Sequence, residues 1–541
     1  MFSRMQRSSG TPARATASVV SIVAPVGGWN TRDPLTGMQS VFAVEMENWL
    51  PTSDGAVTRK GAVAHKTGFT NPILTLIPYT PPQTVKKWWQ VFGGTATDKL
   101  FAATSDGIYD VTASGTVGAK VRTITYGYIS FAQTTENGGS TKLFCANGVD
   151  NTFSYDGSGW STFSPGNSKT SIMTAHRGQV WFADRDKLLV KSGQSFGDID
   201  LSRVFKLGGR VAGIASWTSQ TVSGYKPYLV VLSTEGELAL CDVPDTTDFG
   251  ISAALGNKVY YDNTVELGSP DFAQAEAREF QAAKDVELAG LYRLNPPLGV
   301  SPLIPVENDM FVLTTGGVTR LSEILTASLG LTGKQLTHNI EPTYIDYVRQ
   351  YGDLAGWSGT WFPRDRLFIV NIPTSATTNI QLVLNMATGA WTKFTGWNAF
   401  CAAHFNDKLY IGTADKVGIA QEGNSDFGSP IVCKLRTAFT NFGTLTQKHI
   451  KMLRFMMQLQ GLGSGTLSLK TGLDADLENS GTVTTIPLGD ASTPGMLQRY
   501  WQSVYGKSGT TFSLRLEATV QDAGISWTSA DYLVERGSGV L

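Results

Sequence analysis

The residues able to do chemistry are scattered along this chain. Its five histidines, His65, His176, His338, His404 and His449, include no pair at the helical or strand spacing that brings two imidazoles to one metal ion. Asp184-Arg-Asp186, Asp198-Ile-Asp200 and Asp474-Ala-Asp476 each set two carboxylates on one side of a local turn, which suits a cation. None carries the full set of oxygen ligands that calcium takes, so they read as solvated turn carboxylates. Cys145, Cys241, Cys401 and Cys433 stand far apart without a Cys-x-x-Cys, and the first three lie in apolar strand-like runs, where a buried free thiol is the ordinary state. No Gly-x-Ser-x-Gly elbow, Walker loop or Rossmann fingerprint occurs. The pattern predicts no catalytic residues, no metal and no cofactor.

Two weaker signals remain. Ser154-Tyr-Asp156-Gly-Ser-Gly-Trp160 comes near the Ser-x-Asp-x-Gly-x-x-Trp turn that propeller glycosidases such as sialidases repeat, but its glycines stand one place either side of the required position. Such enzymes also need an arginine cluster, a Tyr nucleophile and an acid. The turn is not repeated with fidelity, so its Asp and Trp read as a turn and a packing aromatic. Trp88-Trp89, Trp357 with Trp361, and Trp391 with Trp397 have the stacking surface that bases or sugars use. Core packing between sheets accounts for them more simply.

The elements that would position these residues are strands. From about residue 88 one unit recurs: an apolar strand, a Gly or Asp turn, then a second short strand. It starts at Lys99, Lys142, Gln179, Tyr228, Met310, Gln381 and Lys408. The first four starts lie roughly 36 to 50 residues apart, the scale of a four-stranded propeller blade. The expected fold is therefore mainly β: a β-propeller of six to eight blades over 88–427, interrupted at about 244–307. Within that insertion, 269–293 is the one long helix-like tract, opening on Ser269-Pro270-Asp271 with Ala273, Ala277, Phe280, Ala283 and Val286 at helical spacing. A second helical or loop element is expected over 338–355. After about residue 428 longer strands follow, punctuated by glycines, and predict a C-terminal antiparallel β-sandwich-like domain over 428–541.

The net charge of −1 and the 16% charged fraction exclude a tight, sequence-independent DNA binder, which carries a basic excess. They leave room for DNA passing through a wide lumen. No run approaches the ~18 apolar residues of a membrane span, so no membrane insertion is expected. Residues 1–20 hold Arg4, Arg7 and Arg14 and no acid; they read as a flexible basic tail, and the chain as made in the cytosol. Residues 21–87 read as an N-terminal arm with the strands leading into the body. Within it, Phe42, Met46, Trp49 and Leu50 fit one face of a short helix stopped at Pro51.

The order of residues in that arm resembles the opening of podovirus tail nozzle proteins, the tail tubular protein B type. Their Gly-x-Asn-x-Arg-x-Pro start falls here on Gly28, Asn30, Arg32 and Pro34, their Asn-x-x-Pro on Asn48 and Pro51, and their Gly-x-x-x-Arg-x-Gly on Gly55, Arg59 and Gly61. Further similar stretches run through 296–322, 388–423, the lead from Asp426 into the final domain, and the terminal YLVERG. What the resemblance implies is a virion structural protein of a short-tailed bacteriophage, made in the host bacterial cytoplasm. Its homohexameric ring sits under the head–tail adaptor, lines the exit channel for packaged double-stranded DNA and offers sites for tail fibres or spikes. The basic tail and the helical insertion have no clear counterpart in that family, and no residue is named by the pattern as the channel gate. On this reading Trp29, Asn30, Arg32, Pro34, Phe42, Asn48, Trp49, Pro51 and Arg59 form an assembly arm, a clasp whose removal (residues 21–61) leaves a folded body. The alternatives are a carbohydrate-binding propeller and a polysaccharide-degrading one.

Overall fold

Alternating apolar and polar residues, cut at short intervals by Gly, Asp and Asn, leave little scope for anything but short antiparallel strands, and the chain is mainly β. The computed structural model describes residues 17–81, 98–135, 141–163, 169–184, 189–192, 199–221, 224–243, 286–326, 335–460, 464–474, 480–487, 497–503 and 508–536. It divides into two compact units. One comprises Met1–Lys60, Ala387–Thr392 and Gly428–Leu541; the other comprises Gly61–Met386 and Lys393–Phe427.

The larger unit contains, among the described residues, seven small, mostly antiparallel strand groups in chain order, six of them separate sheets and the sixth the opening strands of a ten-stranded sheet. The first four are meanders beginning at Thr75–Tyr79, Ser130–Thr135, Thr170–His176 and Val211–Thr221. The fifth begins at Leu303–Val306, the sixth at Ser358–Phe362 and the seventh at Cys401–Phe405. The seventh is completed from the other end of the unit, because Ala62–Thr67 pairs antiparallel with Lys416–Ala420. Six of the seven repeated hairpins named from the sequence, from Lys99 through Lys408, supply a group's second strand; the one at Gln381 falls in Asn379–Asn385, the third strand of the sixth. These second strands are apolar throughout, since a neighbouring sheet covers each face: Gln179–Asp184 and Leu367–Pro373 are buried at every position.

The cores lie between successive sheets. Ile77, Phe101 and Ile108 of the first pack with Leu143, Phe153 and Tyr155 of the second. Phe144 meets Met173 and Phe182 of the third, whose Trp181 and Ala183 pack with Leu229 and Val231 of the fourth. Trp217 and Leu240 of the fourth share a cluster with Leu303 and Val312 of the fifth. Phe311 meets Phe368 of the sixth edge-on, with centroids 4.9 Å apart, and Phe362 of the sixth lies against His404 of the seventh. Leu76, Leu100 and Val111 of the first sheet pack with Cys401, Tyr410 and Ile419 of the seventh.

The smaller unit is built from both chain ends. One sheet takes Leu497–Ser503, Lys448–Gln460, Gly524–Arg536, Ala56–Thr58 and Trp49–Pro51 in that order, with Ala17–Val23 added on Gly524–Arg536. The other aligns Phe42–Glu47, Ile431–Thr437, Phe512–Gln521, Ser464–Leu473 and Ser480–Pro487. Tyr532, Phe455, Trp527 and Leu516 are fully buried in this unit.

Several expectations change. Residues 42–50 are not a helix: Phe42–Glu47 and Trp49–Pro51 are strands. The helix was read from Phe42, Met46, Trp49 and Leu50, a spacing that a broken strand also produces: the ladder to Ile431–Thr437 slips between Ala43 and Glu45, and Asn48 turns the chain at φ 58° before Trp49. The helical reading of 269–293 fails at its end, where Glu287–Arg293 is a strand pairing with Glu237–Asp242; 269–285 lie outside the described residues. That strand and Leu303–Val306 belong to the fourth and fifth sheets, so residues 286–307 are not part of an insertion. The basic tail stops earlier than residue 20, since Ala17–Val23 is a strand. The C-terminal segment does begin at Gly428, but it shares its unit with residues up to Lys60, while Gly61 onward belongs to the other. The element expected over 338–355 is a 3-10 turn, His338–Ile340, leading into the helix Glu341–Tyr351 with Pro342 in its first turn.

Candidate functional site

The arm residues meet in the smaller unit, and each has a local reason for its identity. Asn30 Oδ1 accepts the backbone N–H groups of Arg32 (2.9 Å) and Asp33 (3.1 Å), while its Nδ2 donates to Asp33 Oδ2. This Asx turn fixes the chain ahead of Pro34. Trp29 is buried and its Nε1 donates to the Val44 carbonyl at 3.1 Å. Asn48 sits at φ 58°, the left-handed region that Asn tolerates best after Gly. Its Nδ2 donates to the Val432 carbonyl at 2.7 Å and its Oδ1 accepts from Arg59 Nε at 2.7 Å. Arg59 is 2% exposed, and its Nη1 donates to the Lys60 carbonyl. Trp49 is wholly buried and Pro51 is buried; Phe42 is half-buried, and only Arg32 and Pro34 of the set are exposed. A Cβ on Gly55 would stand 2.2 Å from the Trp527 carbonyl oxygen, so no larger residue fits that turn.

The clasp reading therefore needs revision. Most of the motif is spent inside this chain, where it joins strands from the two ends of the sequence. Removing residues 21–61 takes strands out of both sheets of the unit.

Only one carboxylate of each suspected cation turn is described. Asp186, Asp198 and Asp476 lie outside the described residues, and among the described residues no three His, Cys, Asp or Glu side chains cluster as metal ligands. Asp184 is buried, Asp200 accepts the Ser202 N–H, and Asp474 Oδ1 accepts the N–H and hydroxyl of Thr510. The near-miss glycosidase turn is a closed Asx turn. Asp156 Oδ1 accepts from the Ser158 hydroxyl, the Gly159 N–H and the Ser158 N–H, and these bonds pull its carboxyl down to about 2. Trp160 packs on Phe101, Phe153 and Tyr155.

All four cysteines are free and buried, and burial pushes the Cys241 thiol up to about 11 and that of Cys401 up to about 12. Trp357, Trp391 and Trp397 are buried, Trp361 is half-buried, and Trp88-Trp89 lie outside the described residues. His65 Nε2 lies 2.9 Å from the Val111 carbonyl, and His449 is exposed on its strand.

The larger unit holds a cavity of about 670 Å³ that the sequence did not announce. Its walls are the first strands of all seven strand groups, represented by Thr75, Ser130, Thr174, Ser216, Leu303, Thr360 and Cys401. Among the described residues no Asp, Glu, Lys or Arg lines it. The titratable groups there are Tyr128, Cys401 and His404, and burial raises the first to about 12 and lowers the imidazole. The wall hydroxyls mostly bond the next sheet. Thr75 Oγ1 donates to the Gly127 carbonyl and accepts the Ile129 N–H, and Ser130 Oγ accepts the Met173 N–H. Ser216 Oγ lies 2.8 Å from His176 Nδ1, and Thr360 Oγ1 donates to the Ala402 carbonyl. Cys401 Sγ reaches back to the Ile73 carbonyl at 3.4 Å. Small polar residues on most first strands were the available signal, although Leu303–Val306 has none, and these strands mostly lack the apolar run that marks their partners.

No family model matches the chain, and no curated protein matches it. Among solved structures, a crystal structure of BBS1N in complex with ARL6DN, soaked with mercury, aligns at 10% identity with TM-score 0.36, over 67% of this chain and 97% of that one. A lead-soaked crystal of the same complex aligns at 11% identity and TM-score 0.27, over 51% and 80%. Likenesses this low bear on neither fold nor function.

Proposed function

We propose that this chain is a structural protein of a short-tailed phage virion: a tail nozzle subunit whose larger unit is a seven-bladed β-propeller and whose copies form a six-membered ring. The observation that carries the reading is the fate of the motif. Gly28, Asn30, Asn48, Gly55 and Arg59, which bear the resemblance to nozzle proteins, each answer a demand of backbone geometry or buried hydrogen bonding in the smaller unit. Shared architecture explains why such residues would recur in that order. The propeller is supported by seven strand groups whose first strands wall one cavity, and by the strand Ala62–Thr67 that joins the seventh group from the N-terminal side.

The DNA path lies between subunits. A cavity of about 670 Å³ has the size of a small-molecule pocket, far too small for a duplex. Each subunit therefore lines a shared channel with its outer surface, and a low charge density lets DNA slide instead of gripping it. The head–tail adaptor and the fibres or spikes dock on the ring's two ends and rim. The role is mechanical, and the chain is not an enzyme. The test is a negative-stain image of the purified chain, in which six-fold rings with an open centre are expected and isolated single particles overturn the reading.

One observation favours a second reading. The uncharged cavity, with Tyr128, Trp361 and hydroxyls on its walls, suits a neutral carbohydrate. Binding on a glycan array with loss in Trp361→Ala would support it. Binding is favoured over cleavage, because glycoside hydrolysis needs an acid with a carboxylate or Tyr nucleophile, and no carboxylate lines the wall among the described residues.

A further inference from the structure

The two sheets of the smaller unit present different outer faces. On the sheet containing Phe512–Gln521, the outward residues Glu45, Arg515, Glu517 and Lys470 form a chain of ion pairs, with Arg515 3.4 Å from Glu45 and 3.1 Å from Glu517. That is how a solvated sheet face ordinarily looks. The face of the other sheet carries exposed aliphatic side chains among its ion pairs. Register places Val19 beside Leu533 and Met452, and Val23 beside Ser529 and Met456, with Ser21, Asp531 and Arg454 in the row between. Val19 is 60% exposed and Val23 52%, while Leu533, Met452 and Met456 are half-buried.

The described charges on this face pair with one another: Lys451 Nζ lies 2.7 Å from Glu535 Oε2 at one end, and Arg454 meets Asp531 in the middle. Arg454 Nε donates to Asp531 Oδ2 at 2.6 Å, and Ser21 Oγ donates to Asp531 Oδ1 at 2.5 Å. Burial acts to raise the Asp531 carboxyl, but these bonds and the nearby guanidinium hold it below the usual carboxylate range. The border of this face is a strand edge: among the described residues, Ala17–Val23 pairs only with Gly524–Arg536. That strand, Ala-Ser-Val-Val-Ser-Ile-Val, has no Lys, Pro or bulge, the devices by which exposed edges are kept from pairing.

We infer that this face and edge are the surface on which a second copy of the chain docks. The size fits. At about 4.8 Å between strands and 3.4 Å per residue, the four neighbouring strands span roughly 650 Å², close to the ~800 Å² per partner of a stable interface. The neighbouring copy covers the valines and methionines and adds main-chain hydrogen bonds along Ala17–Val23. The inference rests on the ring reading for the identity of the occupant, and it names the contact by which a ring would close.

The test is native mass spectrometry and light scattering of the full chain, comparing wild type with the double variant Val19→Lys, Val23→Lys. Both positions are exposed, so the fold should survive, which circular dichroism checks. The expected result is a wild-type multimer whose association weakens by at least about tenfold in the variant, because an unpaired charge must be buried in the contact. A folded variant that assembles like wild type overturns the inference. If wild type forms six-membered rings that the variant leaves intact, the surface is wrong and the ring reading stands. If wild type forms another oligomer that the variant breaks, the surface stands and the six-fold reading falls. A monomeric wild type overturns both. Should the double variant misfold, Val23→Cys carrying an environment-sensitive fluorophore serves instead: its emission shifts to the blue as concentration drives assembly, and an unshifted emission overturns the docking surface.

Discussion

Acid should weaken the larger unit through one buried imidazole. His176 ends the strand Thr170–His176 and is 2% exposed; its Nδ1 meets Ser216 Oγ at 2.8 Å, and its Nε2 has no hydrogen-bond partner. Burial, with help from the neighbouring Arg177 and against the pull of Asp242, lowers its pKa from 6.5 to about 4. The unfolded chain therefore binds this proton more readily than the folded one. The resulting stability is fully present above pH 6.5, falls as the pH drops, and is gone below about 4. A shift of this size corresponds to about 3 kcal/mol, of which some 2 to 3 kcal/mol is lost between pH 7.5 and 4.5. Urea unfolding at those two pH values, followed by tryptophan fluorescence, measures the loss. His176→Gln removes the titration and keeps a polar group near Ser216, so its pH-dependent loss should be smaller than that of wild type by about 2 to 3 kcal/mol. Equal losses in the two proteins would refute the claim that His176 is held neutral by burial.

Other consequences are equally direct. Asn48→Ala removes the bonds to Val432 and Arg59 and puts a residue ill-suited to φ 58° in their place, so the smaller unit should lose about 3 kcal/mol in denaturant unfolding. Gly55→Ala drives a Cβ against the Trp527 carbonyl and should cost about 2 kcal/mol or more, measured the same way. Deleting residues 17–60 takes strands from both sheets of the smaller unit; its unfolding transition should vanish while strand-rich circular dichroism from the larger unit persists. A thiol reagent should leave Cys145, Cys241, Cys401 and Cys433 unmodified in the native protein and label all four in denaturant.

What was legible in the sequence were the hairpins in which local chemistry and final structure agree. Asp106-Gly107, Asn147-Gly148 and Asp156-Gly157 mark real turns between strands, and the second strands advertise themselves because burial on both faces makes them continuous apolar runs. The element over 338–355 was legible only as helical or loop; it holds the helix Glu341–Tyr351, with Pro342 in its first turn. First strands such as Ser130–Thr135 were not, because their hydroxyls serve the next sheet and dilute the apolar signal. Phe42–Glu47 was misread because a bulge between Ala43 and Glu45 breaks the two-residue alternation that marks a strand. The pairing of Ala17–Val23 with Gly524–Arg536 joins residues some 510 positions apart, as Ser21 and Asp531 show, and no local pattern carries that information. The same non-locality hid the purpose of Asn48 and Arg59, which looked available to another subunit until their partners within the chain came into view.

The central claim is a ring of identical subunits around a shared DNA channel. Negative-stain images of the purified full chain, sorted by rotational symmetry, test it most directly. The account predicts six-fold class averages with a central opening wide enough for a DNA duplex, bounded by the subunits and distinct from the small cavity inside each one. Single particles without a shared opening, or a closed assembly of another symmetry, would contradict it.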